Sequence, residues 1–505
     1  MRGVVAAGHP QSAEAGAAVL REGGNAVDAA VAAVLTSWVT ESPLTGPGAG
    51  GFMLVHSAAG ENRLLDFFVA APGKGLEKVE PAALEPIDVH FSAEAIQVFN
   101  IGPSSCGVYG NPAGVAEALE RFGTMPLSAL VERPARAARE GVELTPMAAV
   151  FLEILAPILT ATPEAAAIYA PEGQLLKTGD TIRMPDLGDL LERLGAEGPG
   201  FLYEGELAAR VSGWVLERGG LLTEADLASY APVDRDAARA RYRGREVLTN
   251  PPPSSGGILI AYALDLLERL GRPPGVRTLI EVMDRTNRER TEEFVQGLHA
   301  EGYLERFLHK EALESAASEL GSRLGSTTHL SVLDAEGNCA SVTCSNGSCS
   351  GVVVPDTGIH LNNMLGEFDL APGTAVARPG VRFTSMMSPS LVLREGRPRL
   401  VVGSAGSLRL RGAILQIIVN VVGHGLAVDE AIERPRLHLD DSHVHCEGGN
   451  DPAELDRLES WGYELVRWRR RNLFFGGAAG VEFREDGTLA AAGDARRGGH
   501  GLVVR

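Results

Sequence analysis

Hydroxyl side chains crowd one stretch of this chain. Thr327 to Ser345 reads TTHLSVLDAEGNCASVTCS, two strand-like runs joined by Asp334-Ala335-Glu336-Gly337-Asn338, a loop of hairpin length. If Leu333 faces Cys339, stepping back along both runs sets Thr327 opposite Ser345. The two-residue alternation of a strand then sorts the side chains. Leu330, Val332, Ala340 and Val342 share one face, and Thr327, His329, Ser331, Ser341, Thr343 and Ser345 share the other. One reading is a half-buried sheet with its hydroxyl face in water. The other is nucleophilic catalysis. A threonine hydroxyl attacks a carbonyl only when a base stands within about 3 Å, and its own α-amino group serves when the threonine is N-terminal. That requires a chain cut. Gly325-Ser326-Thr327-Thr328 offers a small, turn-prone pair directly before a strand. Self-cleavage between Ser326 and Thr327 would expose such an amine, although strand physics alone leaves the cut open.

Other chemistry-bearing residues point less sharply. His329 shares the face of Thr327, where a histidine more often braces a strand by hydrogen bonding than acts as the base. His443, His445 and Cys446 stand in HVHC, ligand types with no second pair at zinc spacing, so a surface or packing role is the reading and no metal is expected. The glycine run Gly46 to Gly51 lacks the GK[ST] of a P-loop and reads as tight packing near the site. The only lysines are Lys74, Lys78, Lys177 and Lys310, none in an apolar setting that would activate it for Schiff-base chemistry. Cys106, Cys339, Cys344, Cys349 and Cys446 form no even framework and no CxxC pair, which argues against disulfides.

The elements that must position the hairpin can be read from periodicity. Between Pro10 and Val39 apolar residues recur at helical spacing, broken at Gly23-Gly24, which predicts two helices with a glycine cap between them. A glycine-rich turn and a strand Phe52 to Val55 follow. Leu127 to Leu320 is rich in Leu, Ala and Glu and reads as a helical layer. After Gly325 come short β-branched runs, a helix Ala413 to Val422 and another around Leu455 to Trp461. No repeat or long linker divides the 505 residues, so a single layered α/β domain is expected. Asp+Glu 65 against Lys+Arg 46, a net charge of −19, argues against nucleic acid as a partner. No run reaches the roughly 18 uncharged apolar residues of a membrane-spanning helix, since even Ala26 to Val39 carries Asp28. The start MRGVVAAGHP does not read as a signal peptide, and the cytoplasm is the default expectation.

Taken together, GSTTHLSVLDAEGN, SGVVVPDTGIHLNN, SMMSPSLVL and GSAGSLRLR resemble the γ-glutamyltranspeptidase (γ-glutamyltransferase) family of N-terminal-nucleophile hydrolases. GGNAVDAAVAAVL, GPGAGGFMLV, GNPAGVAEALERFGTMPL, LLTEADLASY and NPPPSSGG extend the likeness in colinear order from about Val4 to Gly499. The resemblance implies a four-layer αββα sandwich and autoproteolysis into a large subunit, 1–326, and a small one, 327–505. Thr327 would be the nucleophile, acting without cofactor, and Ser345 its hydrogen-bonding partner. It further implies an oxyanion loop at Gly403 to Ser407, with the N–H groups of Gly406 and Ser407 as donors. Substrate contacts would come from Asn346, Glu367 and Ser385. The partner is then a small γ-glutamyl amide such as glutathione, its acyl group passing to water or an amine. A homo-oligomer is left open.

Recognition departs from the family pattern where chemistry does not. Phe68 stands where the family's carboxylate-clamping arginine belongs, Met364 follows Asn362-Asn363 in place of Gln or Glu, and Met386 replaces a second serine. The stretch from Phe368 to Thr384 is short, which implies an open site lacking the lid of some relatives. Arg382 and Arg409 border the site and are the candidates for a relocated clamp. Three functions follow: a γ-glutamyltransferase or hydrolase, an acylase for another acyl chain (glutaryl or cephalosporin-like), or a non-catalytic scaffold of the same fold. Intact mass and N-terminal sequencing should find two fragments divided at Ser326–Thr327, and one chain for Thr327→Ala. A cut elsewhere, or active uncut protein, would remove Thr327 as nucleophile.

Overall fold

The computed structural model describes residues 2–79, 84–90, 96–308, 326–367, 378–440 and 443–505. Two antiparallel sheets organise them. The first runs, edge to edge, His500–Val504, Gly3–Ala7, Ser326–Asp334, Cys339–Gly347, Gly50–His56, Asn62–Phe67 and Val233–Arg235. The second runs Leu489–Gly493, Gly477–Phe483, Arg397–Ala405, Ser390–Arg394, Arg245–Thr249 and Ala238–Tyr242. This mixed α/β fold departs from the helical reading of the middle of the chain, because Val233–Thr249 supplies three strands. The predicted helical stretch from His309 to Leu320 lies outside the described residues.

Helices Pro10–Glu22 and Ala26–Thr40 form where periodicity placed them. Gly23 ends the first in the left-handed region, φ 96°, and its N–H returns to Leu20 and Val19, a conformation that glycine adopts at no steric cost. Asn25 caps the second helix, whose fifteen residues are all buried. They share an apolar layer with Leu330, Val332, Ala340 and Val342, the apolar face of the hairpin. A second layer fills the space between the sheets with Phe52, Phe68, Leu248, Leu391, Val401 and Val481. A third packs the outer face of the second sheet against helices Ser255–Arg269 and Arg409–Ile418, through Val392, Val402, Leu264 and Ile414.

The hydroxyl face of the hairpin is therefore dry, contrary to the solvated reading. It faces the second sheet, and its polar groups satisfy one another, as burial demands. His329 bonds Thr343 Oγ1 through Nδ1 (2.8 Å) and Ser331 Oγ through Nε2 (3.0 Å), while Ser331 Oγ donates to Ala479 O across the sheets (3.2 Å). A Cβ on Gly403 would stand 2.2 Å from the His329 ring, so only glycine lets the sheets approach there. Burial pushes the His329 imidazole down to about 3. The native chain thus refuses the proton that the unfolded chain takes below about 6.5, and stability should fall as pH drops through that window. His329→Gln should flatten the acid limb by about 1.4 kcal/mol per pH unit between about pH 6 and pH 4. Denaturant titrations that run parallel for variant and parent would refute this.

Candidate active site

The hairpin pairs as its spacing dictates: Leu333 with Cys339, and Thr327 with Ser345. Asp334 holds that register. Its Oδ1 accepts the backbone N–H groups of Glu336 (3.1 Å) and Asn338 (2.9 Å), and its Oδ2 accepts Asn338 Nδ2 (2.8 Å). At the far end the pairing shifts by one residue, because Ser326 pairs with Gly347 and leaves Asn346 as the extra residue of a β-bulge. Thr327 Oγ1 donates to Ser345 Oγ at 3.1 Å, and Ser345 Oγ accepts Gly347 N–H at 3.1 Å.

Thr327 and Ser345 open into a narrow cleft of about 40 Å³. Its other walls are Phe68, Gly347, Met364, Glu367, Ser385, Met386, Met387, Ser407 and Leu410. Segments far apart in the chain supply them. Phe68 follows the strand Asn62–Phe67, its N–H bonded to the buried Asp66 (3.0 Å) and its ring stacked on Phe52 at 5.3 Å. Ser385 to Met387 are clamped by the NPPPSSGG segment. Ser255 N–H donates to Ser385 O (2.8 Å), Ser254 Oγ to the carbonyls of Ser385 and Met387 (2.9 Å each), and Asn250 Nδ2 to Met387 O (2.8 Å). Glu367 Oε1 accepts Ser348 Oγ at 3.0 Å.

Between the strand Arg397–Ala405 and the helix Arg409–Ile418 the chain turns through two unusual residues. Gly406 has φ 126°, with Gly476 Cα 3.0 Å from where a Cβ would lie, and Ser407 has φ 51°. A non-glycine residue in that region costs about 1–3 kcal/mol and clusters at functional sites. The turn stands at the N-terminal, positive end of the helix. Beneath it lies a buried network in which Arg436 and Arg496 hold Asp494 (2.6 and 3.1 Å) and Arg496 pairs with Glu447 (2.6 Å).

Thr327, Ser345, Glu367, Ser385 and Ser407 are thus brought into one cleft, with Gly406 beside Ser407. Three other candidates point elsewhere. Asn346 is on the opposite side of the strand from Ser345, and its Nδ2 is used on Cys349 Sγ and His360 O (3.4 Å each). Arg382 lies 3.5 Å from Asp66 and 4.2 Å from the Tyr230 ring centroid, while Arg409 lies over Phe474 at 4.6 Å. No arginine lines the cleft among the described residues, and most of the short stretch after Glu367 lies outside them. Met387, Leu410 and Gly347 were missed. Strand-to-wall placement of Met387 and Leu410 has no local sequence signal, whereas a bulge before Gly347 could have been suspected from Asn-Gly. Among the described residues no His, Cys, Asp and Glu cluster could hold a metal. His445 instead bonds Asp440 (2.8 Å) and Trp468 (3.2 Å). All five cysteines are unbridged. No described helix is long and apolar enough to cross a membrane.

A hydroxyl pair beside a strained, donor-bearing turn can serve acyl transfer: one oxygen attacks, and the turn receives the charge that develops on the carbonyl oxygen. Ser345→Ala should slow processing or turnover by roughly ten- to a thousandfold, read by intact-mass time courses and steady-state kinetics. An unchanged rate would mean that Ser345 does not serve Thr327.

The chain is 32% identical over 526 residues to the Acylase ACY 1 proenzyme of Pseudomonas sp. (strain SE83), covering 100% of this chain and 94% of that protein. It is 31% identical over 542 residues to the Glutathione hydrolase proenzyme of Escherichia coli (strain K12), covering 98% and 90%. Cephalosporin acylase from Bacillus halodurans shares the fold at a TM-score of 0.82 and 24% identity, over 99% of this chain and 95% of that one. Residues 12–504 match the family described as Gamma-glutamyltranspeptidase, and the chain belongs to that family.

Proposed function

We propose that this chain is an autoprocessed N-terminal-threonine amidohydrolase whose preferred acyl donor lacks the α-carboxylate of a γ-glutamyl group. After the cut at Ser326–Thr327, the Thr327 α-amino group takes the proton from Oγ1 as that oxygen attacks the amide carbon. The N–H groups of Gly406 and Ser407 receive the oxyanion. Collapse expels the amine with the proton, leaving an acyl ester on Thr327, and water or a second amine releases the acyl group. Fragments 1–326 and 327–505 act as one αββα body, as expected of a chain whose relatives are named proenzymes.

One observation carries the choice of donor: Glu367 is the only charged side chain lining the cleft among the described residues, and the rest of that wall is largely Phe68, Met364, Met386, Met387 and Leu410. A carboxylate entering there meets like charge and, among the described residues, no guanidinium, losing a charge-assisted contact of about 1.5–3 kcal/mol, roughly ten- to a hundredfold in affinity. Aromatic and thioether walls accept an apolar chain instead. The γ-glutamyl reading has its own support, since Glu367 and Ser385, which match the family's ammonium and carboxylate contacts, both line the cleft.

Four anilides separate the readings: γ-glutamyl, glutaryl (ammonium removed), 4-aminobutyryl (carboxylate removed) and butyryl (both removed). The order of kcat/KM should be 4-aminobutyryl, butyryl, γ-glutamyl, glutaryl, with at least tenfold between first and third, and Phe68→Arg should narrow that gap. A γ-glutamyl compound in first place would restore the glutathione-type reading. Protein uncut and inert on all four would favour the scaffold.

A further inference from the structure

Behind the nucleophile strand, on the side away from the cleft, lies a second, narrow cavity of about 30 Å³. Val39, Leu144, Phe151, Leu152 and Ile182 give it an apolar body, and Glu41 and Arg497 its charged end. Both are about nine-tenths buried, each 8% exposed. Among the described residues, Glu41 Oε2 and Arg497 Nε and Nη1 have no hydrogen-bond partner, an expensive condition for buried polar groups with no role.

Their other contacts reach the two halves of the site. Glu41 Oε1 accepts Thr328 Oγ1 at 2.8 Å, which grips the residue next to the nucleophile from the helix side of the sheet. Gly8 makes room for that bond, since a Cβ there would stand 2.3 Å from Glu41 Oε1. Arg497 passes under the strained turn, with Nη2 3.4 Å from the Cβ position of Gly406 and its side chain packed on Gly477, the strand partner of Ala405. Glu41 ends the helix Ala26–Thr40, and the helix's first N–H, that of Ala26, donates to Asp334 at the hairpin tip (3.1 Å). That helix spans about 22 Å and the strand from Thr328 to Asp334 about 20 Å, so one rigid element is tied to both ends of the nucleophile strand.

We propose that Glu41 and Arg497 are positioning residues. Glu41 sets the backbone at Thr327–Thr328, Arg497 sets the turn at Gly406, and their shared cavity couples the two, so that attacking oxygen and oxyanion donors keep one spacing. This rests on Thr327 being the nucleophile. Burial holds the Glu41 carboxyl up at about 7, against the hydroxyls of Thr328 and Ser12 and the field of Arg497. A neutral amide is therefore a close stand-in for it near neutral pH.

The test uses the full-length protein and its best anilide. Thr328→Val removes only the hydroxyl, and Glu41→Ala removes its acceptor. Each should slow the cut and lower kcat by roughly ten- to a hundredfold, the scale of an ångström of misplacement, with KM within about threefold. Glu41→Gln should recover most of the loss. Arg497→Lys should recover less than Glu41→Gln does, because an ammonium cannot span the turn as a guanidinium does. The Glu41→Ala, Thr328→Val double variant should lose no more than either single one. Wild-type kcat in folded, processed Thr328→Val would overturn the proposal even if Glu41→Ala fails to fold, and a melting temperature that falls with kcat unchanged would do the same. An active Thr327→Ala would instead overturn the nucleophile assignment on which it rests.

Discussion

The pairing of Thr327 with Ser345 is the constraint around which the rest is arranged. Two short hydroxyl side chains meet only if the strands hold one register, because a slip of one residue would leave them on opposite faces of the sheet. Asp334 makes the slip costly: it accepts three hydrogen bonds within the loop and a fourth from the first turn of the helix Ala26–Thr40. At the other end the bulge at Asn346 bends the partner strand beside the Ser326–Thr327 peptide, so regular pairing stops where a new N-terminus would need room.

The sheet order follows from the same need. Ser326–Asp334 is third of seven strands, flanked by Gly3–Ala7 on one side and by its hairpin partner on the other. Strands from before and after Thr327 are intermixed in the sheet, with Gly3–Ala7 between His500–Val504 and Ser326–Asp334, so a cut there would leave both pieces interleaved in a single hydrogen-bonded layer. The face that carries the hydroxyls must then be covered without water. The second sheet does this with glycine at 403 and with the carbonyl of Ala479, so each buried hydroxyl or imidazole on that face has a partner made by the fold.

The hairpin, its register and the first two helices were legible because each depends on neighbours in sequence: a loop of fixed length, an alternation, a glycine cap. The strands Val233–Thr249 were not, since runs such as Ala238-Arg239-Ala240-Arg241-Tyr242 are short and carry arginines on their exposed face, which resembles the polar side of a helix. The dry hydroxyl face was illegible for another reason: its cover comes from Arg397–Ala405 and Gly477–Phe483, far away in the chain. Asn346, taken from the resemblance, stands at the bulge with its side chain on Cys349 and His360, contacts that only the three-dimensional packing reveals. Arg382 could be placed near the site from its position, but its commitment to Asp66 and Tyr230 is visible only in three dimensions.

This separation bears on how such a fold changes substrate. Thr327, Ser345 and the turn at Gly406 stand on or beside strands whose register and burial allow little substitution, and the bonds that hold them are mostly backbone or buried polar ones. The other walls of the cleft come from segments leading off those strands: Phe68 after one, Met364 in a short 3₁₀ turn that Glu367 caps, Ser385 to Met387 in an extended stretch held through its carbonyl oxygens. The clamp acts mainly on the backbone of that stretch and touches one of its side chains, Met386, through Ser255 Oγ (3.4 Å). Serine can give way to methionine at 386, or arginine to phenylalanine at 68, at little cost to the hydrogen bonds that hold the segment. A family match over almost the whole chain therefore speaks to the reaction, while the acyl donor must be argued from the few side chains that face the cleft.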